Sequence, residues 1–369
     1  MTLSLDLRWL ERRSREIITT LQEANGAYPA SPTFSAYQGY CWFRDGAFIA
    51  DGASAAGEAE SATAFFDWCA TVVERNAPTI RRVVAAAELG TPVPDAEMLP
   101  TRFTTAGDPG TDDWWDFQLD GYGTWLWAVA EHAGRHNLDT QRWQAAAELT
   151  VDYLLSSWRR PCFDWWEEHS EQIHVSTLGC IAAGLRRAAM DGLVDGERAV
   201  RAGLAAGEIT ALIEREGTAD GHLTKWLGSD AVDGSLSALI APLALFPAES
   251  ELGRRTIAAV DEQLSTEGGV HRFRADTYYG GGRWPLLSCF LGLAKAAQGD
   301  RAGADALLEW AAGTATDEGL MPEQAGGHLL EPGHRQYWID RWGPPAIPLL
   351  WSHAMLLRLA AELREDSCA

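Results

Sequence analysis

Apolar residues recur at helical spacing in about twelve stretches of this 369-residue chain, and an irregular segment rich in aromatic and charged residues stands before every second one. The stretches lie near 6–25, 45–56, 58–76, 120–135, 139–157, 174–191, 195–215, 233–245, 249–264, 284–297, 300–313 and 346–364. Strand-like alternation is scarce, and the remaining connections are short: Ala56-Gly57-Glu58, Asp191-Gly192-Leu193 and Gly299-Asp300-Arg301. Helices with apolar faces must bury them on one another, so a regular alternation of short and long connections gathers equivalent helix ends on one side.

Six segments occupy the equivalent positions. They are Arg44-Asp45, Gln118-Leu119-Asp120-Gly121, Glu167-Glu168, Val232-Asp233-Gly234, Tyr278-Tyr279-Gly280-Gly281-Gly282-Arg283-Trp284, and Glu323 with Pro344-Pro345. The expected fold is all-α: a closed six-fold α/α barrel, or toroid, of six inner and six outer helices, with these segments round one mouth. Residues 1–369 would form a single catalytic domain, and small residues such as Gly179, Ala182, Ala183 and Gly184 would let inner helices approach closely. A helical solenoid also pairs its helices, but it shows a repeat of fixed length, and none is visible here.

A hydrophobic content of 46% suits a large core, and a formal charge of −22 excludes two partner classes. Nucleic acid and anionic membranes both demand clustered Lys and Arg, so a neutral, small substrate is expected. Such a compact, strongly negative barrel fits a monomer. Met1 to Arg13 reads as an amphipathic helix interrupted by charges, without the apolar stretch and cleavage site of a secretory signal, which makes the cytoplasm the expected location. No apolar run approaches the roughly 18 residues that span a bilayer. Cys41, Cys69, Cys162, Cys180, Cys289 and Cys368 show no CxxC spacing and read as buried free thiols.

Two carboxylate segments carry the chemistry. Trp165-Trp166-Glu167-Glu168 sets two acids after two indoles, and a Glu against aromatic surface loses hydration and holds its proton near neutral pH. Met321-Pro322-Glu323-Gln324 places another Glu in an irregular loop, where it need not serve a helix. Sugar C–H faces stack on indoles while one acid protonates the leaving oxygen and a second carboxylate, roughly 6.5–9.5 Å away, activates water. Arg44-Asp45, after Tyr37, Tyr40 and Trp42, can fix sugar hydroxyls with a fork of donors and a pair of acceptors. Asp276-Thr277-Tyr278-Tyr279 precedes a triple glycine able to bend near ligand, flanked by Arg272 and Trp284.

Other chemistries lack their residues. The glycine run has neither the spacing nor the lysine of a phosphate loop, and no HExxH or GxSxG pattern occurs, so no metal and no cofactor are expected. A sugar epimerase would need a pair of pocket histidines, for which His169 and His174 are the close pair. A non-catalytic sugar binder would lack one of the two carboxylates.

Together these motifs resemble the glucoamylase-like inverting α-glucosidases, glycoside hydrolase family fifteen, from about Ser31 to Leu359. Trp42-x-Arg44-Asp45 looks like the family's terminal-sugar clamp, and Gln118-x-Asp120-Gly121 with Trp114 upstream looks like its third-loop tryptophan region. Trp166-Glu167-Glu168 looks like its acid motif, with Glu167 the acid and Glu168 a binder of the next sugar. Arg272, Asp276 to Tyr279 and Trp284 match a fourth motif, and Pro322-Glu323-Gln324 resembles the base motif, followed by Leu349-Leu350-Trp351-Ser352-His353-Ala354. The family's tyrosine near the attacking water falls on Tyr37 or Tyr40, and Pro345 stands where fungal members carry a serine bonded to the base.

The resemblance implies a six-fold α/α barrel and release of β-glucose from the non-reducing end of an α-glucoside. It is nearest the single-domain branch acting on isomaltose and short α-1,6-linked oligosaccharides, with α-1,4-linked maltooligosaccharides or trehalose as alternative substrates. Glu167 and Glu323 would be catalytic. Tyr37, Tyr40, Trp42, Arg44, Asp45, Trp114, Glu168, Arg272, Tyr278 and Trp284 would bind substrate.

Overall fold

A computed structural model describes residues 6–114 and 117–365. Fourteen helices occur among them: α1 (Leu7–Leu21), α2 (Phe43–Ala55), α3 (Ala59–Arg75), α4 (Ala77–Glu88), α5 (Asp120–His136), α6 (Gln144–Ser157), α7 (Val175–Met190), α8 (Gly196–Glu216), α9 (Ser237–Ile240), α10 (Glu251–Leu264), α11 (Pro285–Ala297), α12 (Arg301–Ala312), α13 (Arg335–Trp342) and α14 (Leu350–Glu365). Short antiparallel ribbons edge the loops. β1 (Tyr40–Trp42) pairs with β2 (Arg102–Thr104), β3 (Thr218–Ala219) with β4 (His222–Leu223), and β6 (Gly269–His271) lies between β5 (Ser265–Thr266) and β7 (Arg283–Trp284).

Six helices close an inner ring: α2 packs on α5, α5 on α7, α7 on α9, α9 on α11, α11 on α14, and α14 back on α2. The outer layer is α1, α3, α6, α8, α10 and α12, each packed on inner neighbours. This is the expected α/α barrel, and the composition of each layer explains its place. In α2 every residue from Phe43 to Ser54 is buried, as befits a helix enclosed on all sides, whereas α1 buries only Leu10, Ser14, Ile17 and Ile18 on one face. Asp6, Ser250 and Asp300 start outer helices by accepting a backbone N–H of the first turn.

Close approach within the ring requires missing side chains. A Cβ on Gly184 of α7 would lie 2.2 Å from the Gly123 carbonyl oxygen of α5, and one on Gly52 of α2 would lie 2.3 Å from the Ala354 carbonyl oxygen of α14.

The structure departs from the periodicity in three places. The helix expected over 233–245 shrinks to a 3-10 turn (Gly234–Leu236) and the four residues of α9, because Pro242 lacks the N–H that the next turn needs. Helix α4 was not expected. Asn76 and Pro78 look like a stop, yet Pro78 sits in the first turn of α4, where its missing N–H costs nothing. Helix α13 was also unexpected: none of its residues is fully buried, and its apolar face is a short one, the half-buried Trp338, Ile339 and Trp342.

Among the described residues no helix is long and apolar enough to cross a membrane. Cys41, Cys69, Cys162, Cys180 and Cys289 are buried free thiols; Cys368 and residues 1–5 of the expected first amphipathic stretch lie outside the described residues.

Candidate active site

The N-terminal ends of the inner helices converge on one cavity of about 300 Å³, at the small end of the range for small-molecule sites. Its wall includes Tyr37, Trp42, Arg44, Asp45, Trp114, Glu167, Glu168, Arg272, Tyr278, Trp284 and Glu323. Eleven of the twelve expected site residues therefore meet. Tyr40 is the exception: its hydroxyl donates to Asp112 at 2.8 Å, and its ring lies under the Arg102 guanidinium, behind the wall formed by Trp42 and Trp114.

Glu167 sits on a tight turn ahead of α7. Asp164 Oδ1 accepts the backbone N–H groups of Trp166 and Glu168, each at 2.9 Å, while Glu167 donates its own N–H to the Asp164 carbonyl at 3.0 Å. Glu167 is thereby held at φ +62°, a left-handed conformation that costs a non-glycine residue roughly 1–2 kcal/mol. Its Oε1 accepts the indole N–H of Trp42 at 2.6 Å. Loss of hydration in the enclosed wall pushes its carboxyl up to about 7, against the opposing pull of Arg44.

Glu323 approaches from the loop before α14 and is 1% exposed. Tyr37 donates its hydroxyl to Oε1 at 2.8 Å, and the Tyr278 hydroxyl lies 3.3 Å from that of Tyr37. Of the two tyrosines left open by the motif, Tyr37 meets Glu323. Oε2 is buried without a hydrogen-bond partner. Burial pushes this carboxyl up to about 7 as well, although the Tyr37 bond favours its charged form. The Glu323 backbone is held by its own N–H, which donates to the Ala346 carbonyl at 2.8 Å. Two neighbours on α14 fix the loop, Ser352 Oγ donating to the Pro322 carbonyl at 2.8 Å and His353 Nε2 accepting the Met321 N–H at 3.1 Å.

Two buried arginines carry the charge balance. Arg44 donates to Gln118 at 2.7 Å and to Asp120 at 3.2 Å, and pairs with Asp45 at 3.2 Å. Gln118 and Asp120 thus hold Arg44 from behind. Burial, partly offset by Arg44, raises Asp45 to about 6. Arg272 forks onto Asp276 and reaches Glu168 at 3.0 Å, its guanidinium enclosed by Trp166, Tyr278 and Trp284. Glu168 is raised by burial and lowered by that arginine.

Trp338, Arg341 and Trp342 of α13 also line the cavity and belong to none of the motifs. Their signal is the density of aromatic and arginine residues in Arg335-Gln336-Tyr337-Trp338-Ile339-Asp340-Arg341-Trp342, which exceeds what an exposed eight-residue helix needs. Among the described residues no cluster of His, Cys, Asp or Glu is arranged to hold a metal ion. No described histidine lines the cavity: His174 is buried with its Nε2 on the His169 carbonyl, and the His169 ring lies against Trp226. The acid–base pair of a sugar epimerase is thus missing from this site.

Two carboxyl groups with raised affinity for protons, set among indoles and arginines at the mouth of an α/α barrel, define a glycoside hydrolase. Residues 12–326 match the glycosyl hydrolases family 15, and the chain belongs to that family. It is 51% identical over 358 residues to the isomaltose glucohydrolase of Kribbella flavida, covering 97% of this chain and 93% of that one. A solved wild-type glycosidase is similar throughout, with TM-score 0.95, 51% identity and 97% of each chain covered. A bacterial glucoamylase complexed with acarbose shares the fold at TM-score 0.76 and 20% identity, covering 96% of this chain and 55% of that one.

Proposed function

We propose that the protein is an inverting exo-glucohydrolase that releases β-glucose from the non-reducing end of isomaltose and short α-1,6-linked isomalto-oligosaccharides. The observation that carries this reading is the pairing of Glu167 and Glu323 on one small cavity, each with its carboxyl raised to about 7. Similarity to an isomaltose glucohydrolase along nearly the whole chain supports the substrate.

Glu167 donates its proton to the glycosidic oxygen as the C1–O bond breaks. A water attacks C1 from the opposite face and gives its proton to Glu323, whose unpartnered Oε2 is the free acceptor. Inversion follows from that geometry. Arg44, Asp45 and Arg272 hold the terminal ring, Tyr37 and Tyr278 orient the base, and Trp42, Trp114, Glu168 and Trp284 line the path of the second sugar. The whole chain, residues 1–369, acts as one catalytic unit, as a monomer in the cytoplasm; the buried free cysteines support a reducing compartment.

Glucose release from isomaltose, maltose and trehalose by the purified protein, with Glu167→Gln as the blank, tests the reading. Release mainly from isomaltose is expected. Release mainly from maltose or trehalose keeps the mechanism and overturns the substrate, and near-normal turnover by folded Glu167→Gln overturns the acid assignment.

A further inference from the structure

Lys225 is buried among residues that all serve the acid-bearing turn, yet it does not line the cavity. It follows β4 and is 3% exposed, with its Nζ 2.7 Å from Asp164 Oδ2, 2.5 Å from Asp233 Oδ2 and 4.0 Å from the centre of the Phe273 ring. A buried ammonium ion is costly unless carboxylates surround it, and here two share it. Each of those carboxylates holds the acid turn with its other bonds. Asp164 takes the backbone N–H groups on either side of Glu167, and Asp233 takes the indole N–H of Trp166 at 2.9 Å. The backbone of Lys225 joins the same assembly, its carbonyl accepting the first N–H of α7 from Val175 at 3.1 Å.

Glu167 is left-handed and strained, and such a conformation persists only where surrounding bonds over-determine it. Removing the ammonium leaves Asp164 and Asp233 facing each other as buried, unpaired carboxylates, and their separation would release both anchors of the turn. The charges that act most on Glu167 are those of Arg44 and Asp45. Lys225 therefore works through geometry.

We infer that Lys225 is a positioning residue for the general acid: by joining Asp164 to Asp233 it holds the Trp166–Glu168 turn so that the Glu167 carboxyl is aimed at the glycosidic oxygen. This inference rests on Glu167 being the acid. It also accounts for Val232-Asp233-Gly234, which stands at an inner-helix N-terminus without reaching the cavity.

The test compares two substrates by their need for protonation. Without protonation the leaving glucose of isomaltose would depart as a poor alkoxide, so isomaltose needs the acid, whereas α-glucosyl fluoride loses fluoride with little help. Lys225→Gln is expected to lose on the order of a hundredfold in kcat on isomaltose and less than about fivefold on the fluoride, within the range of general acid catalysis. Lys225→Arg, which keeps the charge and can fork between both carboxylates, is expected to return isomaltose kcat to within about tenfold of the unmodified protein. If Lys225→Gln does not fold, Asp233→Asn keeps the Lys225–Asp164 pair and is expected to show the same split at smaller size. Equal losses on both substrates, or no loss on either, in a folded variant would overturn the inference. Glu167→Gln measured alongside separates the two claims: if it shows no split, the acid assignment has failed, and if it does while Lys225→Gln does not, the role of Lys225 has failed.

Discussion

The Tyr37 hydroxyl donates to Oε1 of Glu323 at 2.8 Å across the mouth of the barrel, joining the segment ahead of β1 to the loop ahead of α14. Burial, and then the charge of Glu323, keep Tyr37 protonated far above the usual range, so it acts as a donor throughout the working pH range. The bond favours the carboxylate form of Glu323, the form its proposed role as base requires. Tyr37→Phe is therefore expected to raise the Glu323 carboxyl and move the acid limb of the kcat/KM profile up by about one to two pH units, since a hydrogen bond to a charged group contributes about 1.5–3 kcal/mol. A pH–rate series on the variant checks this, and an unmoved acid limb would count against Glu323 as the base.

Trp42 and Glu167 are related in the same way, the indole N–H meeting Oε1 at 2.6 Å. That bond lowers the acid carboxyl against the upward push of burial. Trp42→Phe is expected to move the alkaline limb upward, because the acid keeps its proton longer, and to lower kcat about tenfold through looser aim. The alkaline limb of the same pH series reads the shift directly.

The raised base has a cost in stability, with a definite sign. The folded chain binds the Glu323 proton more tightly than the unfolded chain, so the stability linked to this group is fully present below about pH 4.5 and is lost as pH rises to about 7. The loss is about 3 kcal/mol for this buried group. Glu323→Gln removes the titration while keeping the shape. Its Tm is expected to match that of the unmodified protein near pH 4.5 and to exceed it by a few degrees near pH 8, and thermal unfolding at the two pH values measures the difference.

Helix α13 supplies Trp338, Arg341 and Trp342 to the cavity and buries none of its own residues. Trp342→Ala is expected to raise KM for isomaltose roughly fivefold to thirtyfold, with kcat changed less than about threefold. The Trp342 ring also packs half-buried against Trp114, at 6.1 Å between centroids, so Tm is expected to fall by no more than a few degrees. Steady-state kinetics and a melting curve together check both halves.

The residues that the periodicity exposed were those whose job repeats. Six inner helices need apolar character on every side, as in α2, and their N-termini need irregular lead-ins, so the barrel and its mouth could be read from spacing. Glu167 and Glu323 were legible because a carboxylate beside indoles, or in a loop without a helix to serve, has few structural reasons to be there. Tyr40 shares its side of β1 with Trp42, and what keeps it off the cavity wall are partners distant in the chain: Arg102 of the paired β2 lies over its ring and Asp112 takes its hydroxyl. Lys225 left no trace, since it acts through contacts far apart in the chain: it lies 61 residues from Asp164. In α13 the apolar stripe is only Trp338, Ile339 and Trp342, too short to stand out as a period, and its signal is its density of aromatic and arginine residues.

The central claim is that Glu167 and Glu323 act from opposite faces of the sugar in a single displacement. Following the first minutes of isomaltose hydrolysis by proton NMR, before mutarotation scrambles the product, tests it most directly. The newly released glucose is expected to appear as the β anomer, with the α signal growing only afterwards. Glucose appearing first as the α anomer would mean retention through a covalent intermediate, and would contradict it.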